Sequence, residues 1–312
     1  MKNTTLFILL SIALCFAACN DDDENLSPTG ETNWLVLEDS DDEVDHLAYE
    51  IYRDYGIPIY YNDTIARIPV GKKADGEVVY RYELLGVNYH VSVTTNYKYD
   101  LLKDREQIKA GMEFLRDNVM PKLLNNMAPR SYFLTESFED NTNKDKKLIV
   151  DVYKARKTTC VKWDADVDKK NREAAILAVE YAAYLVETES ETLTAFYDCS
   201  AGIQNNKEVL LYGKTLSWKE KDKTSWDPEW RKFGFLSYDP AKGYTAGDRN
   251  GSWVAPSKLA DLEAYAKYVL LDDYEVFEAD GHANYGKCVQ KYDLMKKMIT
   301  DLQETLGKRQ KK

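Results

Sequence analysis

A single carboxylate, Glu180, stands in the middle of a helical stretch that is apolar on nearly every side (LAVEYAAYLVE, 177–187). Such a carboxylate can act as a general base if a pocket reaches it and its pKa suits the proton transfer. It can equally be a core acid without chemistry of its own. Because a buried charge is costly to desolvate, we expect Glu180 to contact a lysine, an arginine or a tyrosine, or to be protonated.

The surroundings of Glu180 can be compared with the zinc-binding helix pattern H-E-x-x-H. In this pattern two histidines ligate zinc from one helix face, and the glutamate accepts a proton from the zinc-bound water. With the glutamate placed on Glu180, the histidine positions fall on Val179 and Ala183, which cannot bind a metal. A lone carboxylate is a weak base for water, whose pKa in bulk is about 15.7. The helix keeps the acid of such a site and lacks its ligands.

Other arrangements for catalysis are weak in this sequence. It contains no G-x-S-x-G motif, no P-loop and no Rossmann fingerprint. His46 and His90 fall on the polar faces of predicted elements, where a solvated histidine is expected. His282 shares a loop with Glu278 and Asp280, and we interpret this trio as a loop rather than as a metal site. We therefore expect no metal and no other cofactor.

Aromatic residues offer a different kind of site. The segment 217–253 carries four tryptophans among charged and polar neighbours, an arrangement that suits stacking on sugar rings or peptide side chains. The alternative, which we favour, is that these rings hold the loops on the core. The candidate ligand-binding residues are Trp218, Trp226, Trp230 and Trp253.

Hydrophobic periodicity predicts the elements that position these residues. The strands are expected at 57–61 and 65–70, in a hairpin over 77–95, and in a central strand at 147–155, while 199–256 is loop-rich. The first helix should start with a capping box formed by Ser40 and Glu43, and Ser257 should cap a later one. The predicted helices span 40–56, 103–118, about 168–187, 257–271 and a last stretch that ends at Gly307.

Five segments follow one another in an order known from one family. They are YRDYGIPIYYNDTIARIP (52–69), FLRDNVMPKLLNNMAPRSYFL (114–134), VEYAAYLVE (179–187), GFLSYD (234–239) and ADLEAYAKYVL (260–270). Together they resemble segments of the zinc-binding metallopeptidase lipoproteins encoded beside TonB-dependent nutrient-import systems. The likeness covers most of residues 40–305.

This resemblance implies an α+β, zincin-like fold with a mixed sheet, an active-site-type helix and a C-terminal helical part. It places Glu180 at the general-base position and Val179, Ala183 and Asp261 at degenerate ligand positions. Zinc in a zincin needs three protein ligands, so the loss of both histidines removes the Lewis acid. The implied protein is a pseudoenzyme, and the alternative is an active zinc metallohydrolase with an atypical site.

The N-terminus has the pattern of a lipoprotein signal. Lys2 precedes a short apolar run (6–14), and Ala17 and Ala18 lead to Cys19. We expect cleavage before Cys19 and acylation of its thiol, which would anchor the protein to a membrane; an ordinary signal peptide is the alternative. The acids that follow resemble the export signal of Gram-negative surface lipoproteins, so we expect an outer-membrane protein exposed at the cell surface.

Composition and charge bound the mature chain. We expect residues 1–18 to form the signal, 19–33 an acidic tether, and 34–312 one domain, or two intimate lobes divided near 190–200. Removal of the signal takes away one lysine and no acid, which moves the net charge from −11 to −12. This charge argues against a nucleic-acid partner, because a protein that binds nucleic acid needs a basic face.

The three cysteines of the body, Cys160, Cys199 and Cys288, are far apart in sequence and contain no C-x-x-C pair. We expect them mostly as buried thiols that behave as small hydrophobic side chains.

The sequence as a whole predicts a non-catalytic accessory or binding lipoprotein of a nutrient-uptake system. Its expected partners are a membrane, a TonB-dependent transporter complex, and a glycan or peptide ligand. The alternatives are the atypical hydrolase and a glycan- or peptide-binding surface lipoprotein unrelated to peptidases.

Overall fold

The computed structural model describes residues 37–87, 97–141, 147–155, 158–204, 207–219, 229–246 and 250–308. The chain from Leu37 to Lys312 forms one compact unit. Its described residues combine helices with a mixed sheet, which confirms the α+β class. Cys19 and the segments 1–18 and 19–33 lie outside the described residues.

The described residues contain seven α-helices. They are α1 (Glu43–Tyr55), α2 (Arg105–Phe114), α3 (Lys169–Val186), α4 (Glu191–Asp198), α5 (Lys258–Leu271), α6 (Tyr274–Ala279) and α7 (Gly286–Leu306). After α2 the chain continues through a π-turn (Leu115–Val119) and a 3₁₀ turn (Met120–Lys122), as expected for a helix approaching Pro121. Within the described part of the chain, none of the helices has the length and apolar character needed to cross a bilayer.

Thirteen strands are described. They are β1 (Ile59–Tyr60), β2 (Thr64–Lys72), β3 (Val78–Leu84), β4 (Tyr97–Leu101), β5 (Ser131–Asp140), β6 (Leu148–Ile149), β7 (Val152–Lys154), β8 (Thr158–Lys162), β9 (Ala201–Gln204), β10 (Lys207–Leu210), β11 (Thr215–Lys219), β12 (Tyr244–Ala246) and β13 (Asn250–Val254).

The main sheet is mixed and is built around β5. Strands β1 and β8 pair with β5 in parallel, β4 and β6 pair with it antiparallel, and β7 is antiparallel to β8. The prediction of a central strand at 147–155 is therefore wrong. That segment divides at the exposed Asp151 into two short strands on the periphery, because a continuous apolar run does not reveal how many neighbours a strand has.

Two smaller predictions concern the segments 77–95 and 199–256. The first arm of the expected hairpin, β3, pairs with the preceding β2, and the second arm lies mostly in 88–96, outside the described residues, together with His90. The described residues of the segment 199–256 form five strands in two small antiparallel sheets, β9–β10 and β11–β13–β12. These strands are only three to five residues long, and such short windows give a weak periodic signal.

The helix boundaries agree more closely with the pattern. Helix α3 begins after Asp168, whose carboxylate accepts a hydrogen bond from the Asn171 amide, and α5 begins after Ser257, which caps Ala260. On α7, Cys288, Tyr292, Met295 and Ile299 recur at spacings of three and four residues, and they are buried in the large core between the helices and the main sheet.

Candidate functional site

Glu180 is buried and paired, as expected. Its side chain is 1% exposed, and the Nζ of Lys154 lies 2.5 Å from its Oε2. The Thr159 hydroxyl donates a hydrogen bond of 2.5 Å to the other oxygen, Oε1. Both carboxylate oxygens therefore have a donor, and one of these donors is a cation.

The main sheet holds these two donors in place. Lys154 ends β7 and Thr159 lies in the neighbouring β8, where the two residues are directly paired in register. The Lys154 ammonium also donates to the Thr159 hydroxyl over 3.0 Å. Helix α3 packs against this edge of the sheet and carries Glu180 to both side chains, so the site joins one helix to two strands.

Two opposing effects set the ionisation of Glu180. Burial raises the pKa of its carboxyl group, because the charged form loses its hydration. The charge of Lys154 and the hydrogen bonds from Lys154 and Thr159 act in the opposite direction. The charge of Glu180 therefore depends on its partner, Lys154.

A polar cavity of about 390 Å³ reaches this pair. Lys154 and Glu180 contribute to its lining, and the loop 126–130 forms another wall. Ala183 and Tyr184 follow on α3, and Glu187 lies directly after the end of this helix. The cavity thus has a charged pair, an aromatic ring and side chains of both signs within reach of a small polar molecule.

The three degenerate ligand positions do not converge on this cavity. Ala183 lines it beside Glu180, whereas Val179 is buried with 5% of its surface exposed and is absent from the described lining. Asp261 is 1% exposed and contacts Lys291 instead of Glu180. Only Ala183 therefore shares the cavity with the retained acid.

The acid of α5 that interacts with Glu180 is Glu263, two residues beyond Asp261. Burial, followed by the charge of Glu180, raises the pKa of Glu263 to about 7. The sequence contained this signal, since ADLEA (260–264) holds two acids, but the family pattern pointed to the first one. Helix geometry decides between them, because residues two apart face different directions.

A second buried charged cluster surrounds Lys291 on α7. Its side chain has no exposed surface and contacts the carboxylate of Asp261. The Lys291 ammonium also donates to the Ser200 hydroxyl at 2.9 Å and to the Tyr212 hydroxyl at 3.2 Å. The sequence pattern of α7 gave no sign of this lysine, which lies on the face that a helix normally reserves for apolar residues.

The tryptophans divide between core and partly exposed positions. Trp253 has no exposed surface and packs against Phe233 and Phe235, so its assignment as a ligand-binding candidate is corrected to a core residue. Trp230 is partly buried and makes edge contacts with Tyr238 and Tyr244. Trp218 belongs to β11, and Trp226 lies outside the described residues.

The remaining candidates lie in packed surroundings. His282 is buried beside the Phe277 ring, with its Nε2 3.3 Å from the Tyr268 hydroxyl. Among the described residues, no group of three or more His, Cys, Asp or Glu side chains is arranged to hold a metal ion. The three body cysteines are buried free thiols, as predicted from their spacing.

Fold and site together define an α+β protein with a buried acid–lysine pair on the floor of a polar cavity. Comparison of the chain with protein-family models, with curated proteins and with solved structures finds no match. The functional assignment therefore depends on the geometry of the site and on the motifs of the sequence.

Proposed function

We propose that this protein is a surface-anchored lipoprotein of zincin-like fold that has no peptidase activity and acts as a binding or accessory component of a nutrient-uptake system. The observation that carries this proposal is the state of Glu180. It lies on the floor of a cavity, beside an alanine at a ligand position, with a lysine ammonium in contact with its carboxylate.

The arrangement around α3 supports the zincin-like part of the proposal. The resemblance requires the helix 173–187 to lie beneath a cleft and against a mixed sheet. Helix α3 packs beside the antiparallel edge strand β7, and the cavity opens over Glu180, Ala183 and Glu187. A chance helix with one core acid would not require a cavity at the acid.

The contacts of Glu180 support the absence of peptidase chemistry. A general base must take a proton from the attacking water, and an ammonium in contact with a carboxylate makes it a weaker base. Both Glu180 oxygens already accept hydrogen bonds, one from Lys154 and one from Thr159. Val179 and Ala183 offer no lone pair to zinc, so the activated water of a zincin has no equivalent here.

The lining of the cavity supports a binding role. Arg130 and Glu187 supply charges of opposite sign, Asn126 an amide, and Tyr184 an aromatic ring. Small sites commonly combine such an apolar ring with a few polar groups that fix orientation. A short peptide or a sugar presents the complementary donors and acceptors.

Zinc content tests the non-catalytic assignment. The exported full chain carrying Cys19→Ser is equilibrated with zinc, dialysed and measured by elemental analysis, beside the same chain carrying Lys154→Met, which removes the cation in contact with Glu180. We expect less than stoichiometric zinc in both proteins, because Val179 and Ala183 supply no ligand and Val179 lies outside the lining of the cavity. Stoichiometric zinc with peptide hydrolysis by the unmodified site would instead establish the atypical hydrolase.

A further inference from the structure

The ion pair of Lys291 and Asp261 is more deeply buried than any other ion pair in the described part of the chain. The two side chains are 0% and 1% exposed, whereas Lys154 beside Glu180 keeps 17% of its surface exposed. Lysine is almost never buried to this extent, because an ammonium ion loses several kcal/mol of hydration. The pair joins α5 to α7.

Aromatic rings exclude water from this contact. The Nζ of Lys291 lies 4.3 Å from the ring centre of Phe196. Its distances to the ring centres of Tyr265, Phe235 and Tyr212 are 5.0, 5.1 and 5.4 Å. Amine and carboxyl group are therefore held together in a dry, packed site. Fixing two reacting groups in contact can raise their effective concentration to about 10⁵ M or more.

The two oxygens of Asp261 have different surroundings. Oδ2 accepts a hydrogen bond of 2.8 Å from the Tyr212 hydroxyl and contacts Lys291. Oδ1 is buried and has no hydrogen-bond partner among the described residues. An orphaned carboxylate oxygen in the interior is costly for the folded state, and its removal would break no hydrogen bond.

We propose that Lys291 and Asp261 form an intramolecular amide bond, so that the mature protein carries a covalent link between α5 and α7. The Nζ lone pair attacks Cγ of the neutral carboxyl group and forms the N–C bond. One amine proton passes to the Oδ1 hydroxyl, the C–Oδ1 bond breaks, and Oδ1 leaves as water. No oxidant or other reagent is needed.

The product satisfies the polar groups that the ion pair leaves unbalanced. Oδ2 remains as the amide oxygen and keeps the hydrogen bond from Tyr212. The amide N–H keeps Ser200 Oγ, now 2.9 Å from Nζ, as its acceptor. The orphaned Oδ1 is gone, and neither Lys291 nor Asp261 carries a charge any longer.

The electrostatics of the site favour the reactive forms. Burial raises the pKa of the Asp261 carboxyl group and lowers the pKa of the Lys291 ammonium, while their mutual attraction opposes both shifts. A neutral amine is a nucleophile and a neutral carboxyl group has a leaving hydroxyl, whereas the ion pair has neither.

Tryptic mapping of the denatured full-length protein tests this proposal, since it is independent of any lipid at the N-terminus. We expect a branched peptide in which LADLEAYAK (259–267) is joined to CVQKYDLMK (288–296), lighter than the sum of the two by one water. Cleavage after Lys291 should be lost. Recovery of 259–267 and 288–291 as separate peptides of full mass, with no branched form, would overturn the proposal.

Two controls make the result specific. Lys291→Met and Asp261→Ala should each abolish the branched peptide, and its persistence in either variant would place the link elsewhere and contradict the assignment. If a variant fails to fold, the wild-type map still decides. The matched internal control is Lys154 with Glu180, where both carboxylate oxygens are bonded and the lysine is partly exposed; peptides containing this pair should be unlinked, and a link there as well would refute the role of the dry, unbalanced site.

Discussion

The charge of Glu180 depends on one neighbour, and its removal gives a direct measure of that dependence. Lys154→Met leaves a carboxylate with 1% exposure and only Thr159 as donor. Because an uncompensated buried charge typically destabilises a protein by about 3–5 kcal/mol, we expect a loss of this order in the free energy of unfolding at about pH 8. Urea denaturation followed by circular dichroism measures it.

The double variant Lys154→Met with Glu180→Gln should recover much of that loss, because no charge is then left unpaired. A matched surface control is Lys147→Met, which breaks the 3.6 Å pair with Glu139 at a lysine that is 71% exposed. We expect that change to be below about 1 kcal/mol. Equal losses at Lys147 and Lys154 would show that Glu180 is not held by its partner.

Because of Glu263, we expect the free energy of unfolding to fall as the pH rises. Its pKa is about 7 in the folded chain against an ordinary value of 4.5, so the folded state binds the proton more tightly than the unfolded state. Its stabilising contribution is complete below pH 4.5 and is lost as the pH rises towards 7. Since one pKa unit corresponds to about 1.36 kcal/mol, Glu263→Gln should be more stable than the wild type by up to about 3 kcal/mol at about pH 8 and similar to it at about pH 4.

Urea unfolding at several pH values compares this variant with Glu304→Gln, which alters an exposed acid of α7. The difference between wild type and Glu263→Gln should grow from acid to alkaline pH, whereas Glu304→Gln should follow the wild-type curve. If the free energy of unfolding varied with pH in the same way for all three proteins, burial and Glu180 would not disfavour the charged form of Glu263.

At the scale of elements, the start of α1 shows how capping is decided by position along the chain. Asp42 accepts hydrogen bonds from the Val44 and Asp45 amides at 3.0 and 3.2 Å. Ser40, which the pattern placed in a capping box with Glu43, instead accepts from the Asp42 amide. The capping box is therefore wrong, because the carboxylate nearest the positive end of the helix takes the first free amides.

This difference predicts unequal effects of two substitutions. Asp42→Ala should lower the free energy of unfolding by about 1 kcal/mol, and Ser40→Ala by a few tenths. Asp42→Asn is the matched control, since it keeps the capping oxygen and removes only the charge, which also contacts Arg105 at the surface. Thermal or urea unfolding of the three variants checks the order; a larger loss from Ser40→Ala would restore the capping box.

Helices could be predicted from the sequence more completely than strands. Local signals fix helix ends: Asp168 and Ser257 accept hydrogen bonds from the first amides of α3 and α5, and Gly307 ends α7. The order of strands depends on partners far away in sequence. The central β5 was not identified for that reason, because its central position is defined only when β1 and β8 pair with its two edges.

The sequence predicted that Glu180 needs a partner, but it did not predict which residues contact the acids of the site. A lone buried acid needs a partner, and the sequence predicted this for Glu180. It did not identify Lys154, because β7 must first fold beside α3, nor Lys291, which is the unexpected partner of Asp261. The resemblance located one acid of α5 and the helical phase of α5 brings the other, Glu263, towards Glu180.

At the scale of the whole molecule, the proposed role depends on attachment to a membrane through Cys19. One acyl chain gives only marginal binding, at about 0.8 kcal/mol for each buried methylene, so stable anchoring needs the several chains of a processed lipoprotein. Produced in a Gram-negative host, the full chain should incorporate labelled palmitate and sediment with membranes. Protease added to intact cells should degrade it if the acids after Cys19 direct it to the outer surface.

Cys19→Ser should abolish both labelling and sedimentation with membranes. Cys15→Ser is the matched control, because Cys15 lies in the predicted signal and is absent from the mature chain, so labelling of the mature protein should be unchanged. Replacing Asp21, Asp22 and Asp23 by serine should leave the lipid in place and protect the protein from external protease. Labelling that survives Cys19→Ser would refute the anchor, and with it the proposal that the cavity around Glu180 acts at the cell surface.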